Sequence, residues 1–200
     1  MWADGWVSID TETTGLDGSA RIVEVAAVTF EGGKPVREWS TLLFPEGVDW
    51  ENKNVLKALE VNKLTLAELR GKPSFADILP DLLVELAHPV LVAHNAEFDE
   101  RMVNQELKRL GRESLKPQML ICTKNLANKL NGGRPGNRLE QVAQRFNIPQ
   151  SDAHRAVVDA RVCGLILAEM HRQALLPTND EAMSSLCRTA ASQWRGQYNR

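Results

Sequence analysis

Three strand-like runs precede any helix in this chain, and beyond them apolar strands alternate with helices. Trp6 to Asp10 reads as a short strand ending in an acid. Arg21 to Glu31 (RIVEVAAVTFE) is rich in Val, Ile and Phe and stops at the turn Gly32-Gly33, and Val36 to Phe44 is a third run stopped by Pro45. These runs suggest an antiparallel meander. The stretch Val48 to Gly71 is more polar, with Val55, Leu59, Leu66 and Leu69 at helical spacing. Ser74 is placed to cap a helix over Phe75 to Leu86, with Ile78, Leu79, Leu82, Leu83 and Leu86 recurring at helical steps. Pro89 to Ala93 (PVLVA) has the form of a buried strand. A helix from Glu97 to Leu110 follows, with Phe98, Met102, Val103, Leu107 and Leu110 inward and Gly111 as its stop. Met119 to Cys122 is a short strand, Asn131 to Asn137 (NGGRPGN) is irregular, and Arg138 to Phe146 and Ala156 to Ala174 are helices. Strands first, then helices alternating with strands, predict an α/β fold in which a mixed sheet is flanked by helices.

Two hundred residues, 43% hydrophobic and 25% charged, suit one soluble domain. The expected compact part is residues 1–176, with 177–200 as a helical tail: Thr178 or Asn179 can cap it, and Met183, Leu186, Cys187, Ala190 and Trp194 draw one apolar stripe. A net charge of −2 argues against a uniformly basic coat for nucleic acid but leaves room for an acidic site with a local basic rim. Cys122, Cys163 and Cys187 have no CxxC or CxxH spacing, which speaks against zinc and for reduced thiols. The first residues lack the basic and apolar regions of a signal peptide, and no run approaches the length of a membrane span, so a cytoplasmic protein is expected.

Acids gather where strands end. Asp10 and Glu12, in Asp10-Thr11-Glu12-Thr13-Thr14-Gly15, are two apart on a strand and leave it on one face. Oxygen-only donors suit magnesium or manganese. Asp99 falls in the first helical turn after His94-Asn95-Ala96-Glu97-Phe98, where the helix dipole alone would favour an acid. His154 and Asp159 can converge only if His154 precedes the regular helix and Asp159 lies inside it, which a cap at Ser151-Asp152 would allow. Asp10, Glu12, Asp99 and Asp159 cannot all stay ionised side by side without counter-ions, and two divalent ions would both neutralise them and serve phosphodiester hydrolysis. His154 can take a water's proton near neutral pH. Lys124, Lys129, Arg134 and Arg138 flank the Gly- and Pro-rich loop and could form the basic rim.

In this order the three motifs resemble the DEDDh branch of the DnaQ-like exonucleases, over residues 6 to 172. Arg21 to Val28 resembles that family's second strand, Glu60 to Leu69 its loop and helix after the third, and Leu139 to Ile148 the helix before the last motif. Ile121 to Ala127 (ICTKNLA) is especially similar to the exodeoxyribonuclease X type. The resemblance implies a ribonuclease-H-like five-stranded mixed sheet and two Mg²⁺ or Mn²⁺. It makes Asp10, Glu12, Asp99 and Asp159 metal ligands and His154 the general base. It also implies that the backbone of Thr13, Thr14, Gly15 and Leu16, with His94, Asn95 and Phe98, holds the terminal nucleotide. The chain has Cys122 where many relatives have Asp, and Asn62-Lys63 where many have His-Gly.

The expected activity is 3′→5′ cleavage of DNA at single-stranded or frayed ends. The alternatives are an RNA exonuclease of the same fold, a polymerase-bound proofreading subunit and a nuclease-dead binding module; the partner expected besides nucleic acid is a polymerase or repair protein. The presence of all five catalytic residue types argues against the nuclease-dead module. Oligomeric state is not legible in the sequence.

Overall fold

The computed structural model describes residues 1–150 and 155–198, with side chains up to residue 190. The sheet contains β1 (Gly5–Thr13), β2 (Ile22–Glu31), β3 (Lys34–Leu42), β4 (Val90–Ala93) and β5 (Met119–Cys122), in the order β3-β2-β1-β4-β5. The first three strands form the antiparallel meander, whereas β4 joins β1 and β5 joins β4 in parallel. The turn between β2 and β3 needs left-handed backbone at both central residues, and Gly32 (φ +53°) and Gly33 (φ +77°) adopt it without a Cβ penalty.

Strand alternation sorts the core into two layers. Val7, Ile9, Val25, Ala27, Leu91 and Ala93 face α3 (Phe75–Glu85) and α4 (Ala96–Arg109). Trp6, Ala26, Val28, Phe30, Val92 and Ile121 face α5 (Thr123–Leu130), α6 (Leu139–Arg145) and α7 (Ala156–Arg172). Counting along β1 from Trp6 in steps of two puts Asp10 and Glu12 on the α7 side. Gly164 lets α7 lie tight on the sheet, because a Cβ there would run into the Phe30 ring. Between β3 and α3 lie α1 (Lys53–Val61) and the single turn α2 (Leu66–Leu69).

The helix boundaries follow the expected caps closely. Ser74 and Asp77 close a capping box at the start of α3. One inward assignment needs correction. Leu110 is 39% exposed, because it lies just past the last turn of α4 where the chain is already turning away. Leu83 is 45% exposed, since the residue after core-facing Leu82 is rotated about 100° around the helix axis.

The last helix, α8 (Asp180–Tyr198), lies against α5 and β5. Asn179 caps it by accepting the Ala182 N–H at 2.8 Å. Met183 and Ala190 are buried, and Leu186 and Cys187 pack on the same core layer; the Trp194 side chain lies outside the described ones. The N-terminal turn Trp2–Asp4 secures the entry to α8: the Trp2 backbone N–H donates to Asp180 at 2.6 Å and its indole N–H to the Pro177 carbonyl at 3.0 Å. Deleting residues 178–200 removes this burial. At about 1.5–3 kcal/mol per buried large side chain, a loss of about 3 kcal/mol is expected. That corresponds to a Tm lowered by roughly 6–12 °C for a chain of this size. A truncated protein that melts with the full chain would show that α8 contributes nothing to the fold.

Candidate active site

Three carboxylates meet where β1 runs out beneath the first turn of α7: Asp10, Glu12 and Asp159 bring one oxygen each to within 4.8 Å of one another. Asp99 approaches differently. Its helix, α4, sits on the opposite layer. The Asp99 carboxylate accepts the Thr11 N–H at 3.0 Å and the Thr11 hydroxyl at 2.8 Å. Thr11 points to the α4 side because it alternates with Asp10 and Glu12. The compact trio is therefore Asp10, Glu12 and Asp159, with Asp99 fastened beside it. His154 and the proposed cap Ser151-Asp152 lie outside the described residues; the first described residue of that segment, Arg155, is the N-cap of α7 and makes no side-chain cap bond.

Burial and neighbouring carboxylates raise Asp10 and Glu12, and burial raises Asp99. Burial holds the Asp10 carboxyl well above the usual carboxylate range, reinforced by Asp99, Glu12, Asp159 and Glu24. Burial, with Asp159 and Glu24, pushes Glu12 up to about 8, opposed by Arg155. Burial raises Asp99 to about 7, against the pull of its bonds from Thr11. An all-oxygen donor set that cannot ionise fully by itself fits hard divalent cations such as Mg²⁺ or Mn²⁺.

Stability should report this directly. The raised carboxyls hold protons in the folded chain at pH values where the unfolded chain has lost them, so folding takes up protons. Without divalent ions, the contribution of these groups to stability is greatest below the ordinary carboxylate range and is lost as pH rises through about 7 (Asp99) and about 8 (Glu12). Thermal melts in EDTA at pH values above the ordinary carboxylate range check this, and Mg²⁺ should raise the Tm most at the alkaline end. A Tm that climbs with pH in EDTA would contradict it.

The loop after β1 is tied inward. The Thr13 hydroxyl donates to the Gly15 carbonyl at 2.7 Å, the Thr14 hydroxyl accepts the Arg21 N–H at 2.9 Å, and both threonines are buried. What this loop offers outward is its backbone and Leu16, 76% exposed. A cavity of about 610 Å³ lies between it and α1, lined by Leu16, Val55, Ala58, Val61 and Asn62 among others. Asn62 is buried and donates its amide to the Thr13 carbonyl at 3.0 Å, so this departure from the His-Gly pattern serves as a brace for the loop.

Both ring nitrogens of His94 are engaged within the protein. Its Nδ1 pairs with the Thr123 hydroxyl and its Nε2 with the Asn137 carbonyl, both at 2.9 Å, and burial lowers its pKa to about 4. A neutral imidazole with both nitrogens engaged clasps the start of α5 to the loop before α6. Asn95 takes left-handed backbone (φ +105°), which Asn tolerates better than most residues, and turns the chain into α4. Phe98 is half-buried beside the site, with the Arg101 guanidinium 5.4 Å above its ring.

Of the expected rim, Arg134 and Arg138 are exposed, and Lys124 and Lys129 half-exposed on α5. The loop carrying Arg134 has a fixed backbone: Asn131 bonds the Arg134 N–H and carbonyl at 3.1 and 3.0 Å and the Asn137 side chain at 2.9 Å.

Glu106 and Glu24, both buried, escaped the sequence reading. Glu106, on α4, accepts Arg21 Nε at 2.7 Å and Nη2 at 3.0 Å and steadies the start of β2. Glu24 stands on β2 directly opposite Glu12 and binds Arg155. The only trace of Glu24 in the sequence is one acid inside an otherwise apolar run.

A mixed sheet of this order, with clustered carboxylates at the end of its first strand, defines the ribonuclease-H-like exonucleases. A family model described as an exonuclease family (RNase_T) matches residues 7–167. The DNA polymerase III subunit epsilon of Treponema pallidum is 35% identical over 160 residues, covering 79% of this chain and 72% of the relative. That of Aquifex aeolicus is 29% identical, covering 82% and 79%. The solved structure of exonuclease X in complex with 5′-overhanging duplex DNA is 27% identical, with a TM-score of 0.68 over 91% of this chain and 99% of that one. The nuclease domain of 3′hExo, a DEDDh family member bound to rAMP, shares the fold at a TM-score of 0.72 and 14% identity, over 86% of this chain and 94% of its own. The chain belongs to this exonuclease family: it is a 3′→5′ exonuclease of the DnaQ-like DEDDh type. Among the described residues no helix is long and apolar enough to cross a membrane.

Proposed function

We propose that the enzyme removes nucleoside monophosphates one at a time from the 3′ ends of DNA, single-stranded or frayed. The observation that carries this reading is the convergence of Asp10, Glu12 and Asp159, with Asp99 held beside them by Thr11. These four carboxylates would hold two Mg²⁺ or Mn²⁺. Bound there, the ions would supply Lewis acidity and offset the negative charge of the carboxylates and the phosphodiester. His154, next in the chain to Arg155, takes the proton of the attacking water. The water oxygen bonds to the last phosphorus, the bond from phosphorus to the preceding 3′ oxygen breaks, and that oxygen leaves as the new 3′ hydroxyl once protonated. The cavity behind Leu16 receives the terminal base, with residues 13–16 among its walls. Lys124, Lys129, Arg134 and Arg138 meet the phosphates of the incoming strand. Replacing all four with Ala should weaken DNA binding. The slope of log affinity against log salt should flatten by up to about 0.7 for each phosphate that is no longer neutralised.

DNA is favoured over RNA because the more similar relatives are named for DNA polymerase III and for a complex with duplex DNA. Matched end-labelled DNA and RNA oligonucleotides, incubated with Mg²⁺ or EDTA, test the reading. Stepwise Mg²⁺-dependent shortening of the DNA from its 3′ end is expected, and faster shortening of the RNA would reverse the preference. The two epsilon relatives support a second reading, service as a proofreading or repair partner of a polymerase, which co-purification with a replicative polymerase would test.

A further inference from the structure

We propose that Glu24 and Arg155 form a positioning pair that sets the first turn of α7 against β1, and with it Asp159. The inference rests on the reading of Asp10, Glu12 and Asp159 as metal ligands. Glu24 is 1% exposed and lies in register with Glu12 on the neighbouring strand. It alternates with Ala26 and Val28, so its carboxylate faces α7. Arg155 Nε and Nη2 donate to its Oε1 at 3.1 and 3.0 Å, and the Ala156 N–H donates to its Oε2 at 3.3 Å.

That last bond matters to the geometry. The opening N–H groups of a helix have no partner within it, and the N-cap of α7 offers no side-chain oxygen. Glu24 supplies the missing acceptor from another strand, so the helix start is docked to the sheet through both a guanidinium fork and a backbone bond. Asp159 follows Arg155 by one helical turn, about 6 Å along the axis, so a shift of the helix start is carried to its carboxylate with little damping. The pair also has an electrostatic side. Glu24 is a fifth acid beside the trio and raises both Asp10 and Glu12, while Arg155 opposes that rise at Glu12. If bulk alone were required, an apolar side chain at position 24 would fill the space without the cost of burying a charge.

The test uses the full chain with Glu24→Gln, Arg155→Gln, Arg155→Lys and the Glu24→Gln/Arg155→Gln double variant. Three quantities are read: Mn²⁺ affinity by calorimetry without DNA, kcat and KM on a single-stranded DNA oligonucleotide, and Tm. Partners behind metal ligands typically contribute about 10–100-fold in metal affinity or activity. Arg155→Gln should therefore lower kcat by about that factor and weaken Mn²⁺ binding, with KM changed less than about threefold. The double variant should be no worse than the worse single one, since the pair acts as a unit. Arg155→Lys should restore little, because lysine keeps the charge but not the fork.

Full rescue by Arg155→Lys would assign the pair to charge alone and overturn positioning. So would wild-type kcat and Mn²⁺ affinity in folded Arg155→Gln, or strictly additive losses in the double variant. Should Arg155→Gln melt below the assay temperature, the isosteric Glu24→Gln carries the same comparison. Asp10→Ala separates the two levels. If its Mn²⁺ binding equals wild type, the ligand reading fails; if it loses Mn²⁺ while Arg155→Gln keeps it, the pair alone fails.

Discussion

Replacing Asp10 or Asp159 with alanine is expected to abolish turnover, a fall of at least about 10³-fold, beyond what loss of a single stabilising donor usually costs. Each removes one corner of a trio whose oxygens lie within 4.8 Å, and the remaining two carboxylates cannot enclose a divalent ion in the same way. The loss should not come from unfolding. Asp10 is a buried acid surrounded by Asp99, Glu12, Asp159 and Glu24, so removing it relieves repulsion. In EDTA at mildly alkaline pH, the Asp10→Ala protein should melt at or above the wild-type temperature while being inactive with Mg²⁺. Wild-type turnover in Asp10→Ala, or unchanged wild-type turnover in EDTA, would remove the metal mechanism.

His154→Ala is expected to lower kcat by about 10²–10⁴-fold, the usual contribution of a positioned general base. Mn²⁺ binding should survive, because His154 is assigned no ligand role. The form that accepts a proton is the neutral imidazole, so wild-type activity should rise as pH climbs through the histidine range, near about 6.5 for an unperturbed ring. The variant should lack that rise. Near-normal turnover in His154→Ala across about pH 6–9 would mean that another group takes the proton. A comparable loss in His94→Ala would have a different origin, since both His94 ring nitrogens are spent on Thr123 and Asn137. It would show as loosened structure and raised KM rather than as an altered pH profile.

Much of this enzyme was written locally. The meander, the strand Pro89 to Ala93, the capped helix after Ser74 and the two acids on one face of β1 all follow from short-range periodicity and from which residues start or stop an element. Such signals need only a few neighbouring residues, and they carried the strand-first order that restricts the fold. The motif at the end of β1, with the later Asp and His motifs, was likewise legible as spacing along the chain.

Contacts between distant segments were not. Glu24 and Arg155 are 131 positions apart, and the sequence holds no sign that a Glu in an apolar strand would face an Arg before a helix. Their meeting depends on the β1–β2 register, on β2 lying next to β1, and on α7 crossing the layer beneath. His94 shows the same limit: nothing in its motif foretells that its ring nitrogens pair with Thr123 and Asn137. Thr11 and Asp99 come together because strand alternation sends Thr11 away from Asp10 and toward the helix layer that carries Asp99. Local periodicity determined which face each acid leaves from, whereas sheet order and layer packing, which bring together residues far apart in the chain, decided which partner holds it there.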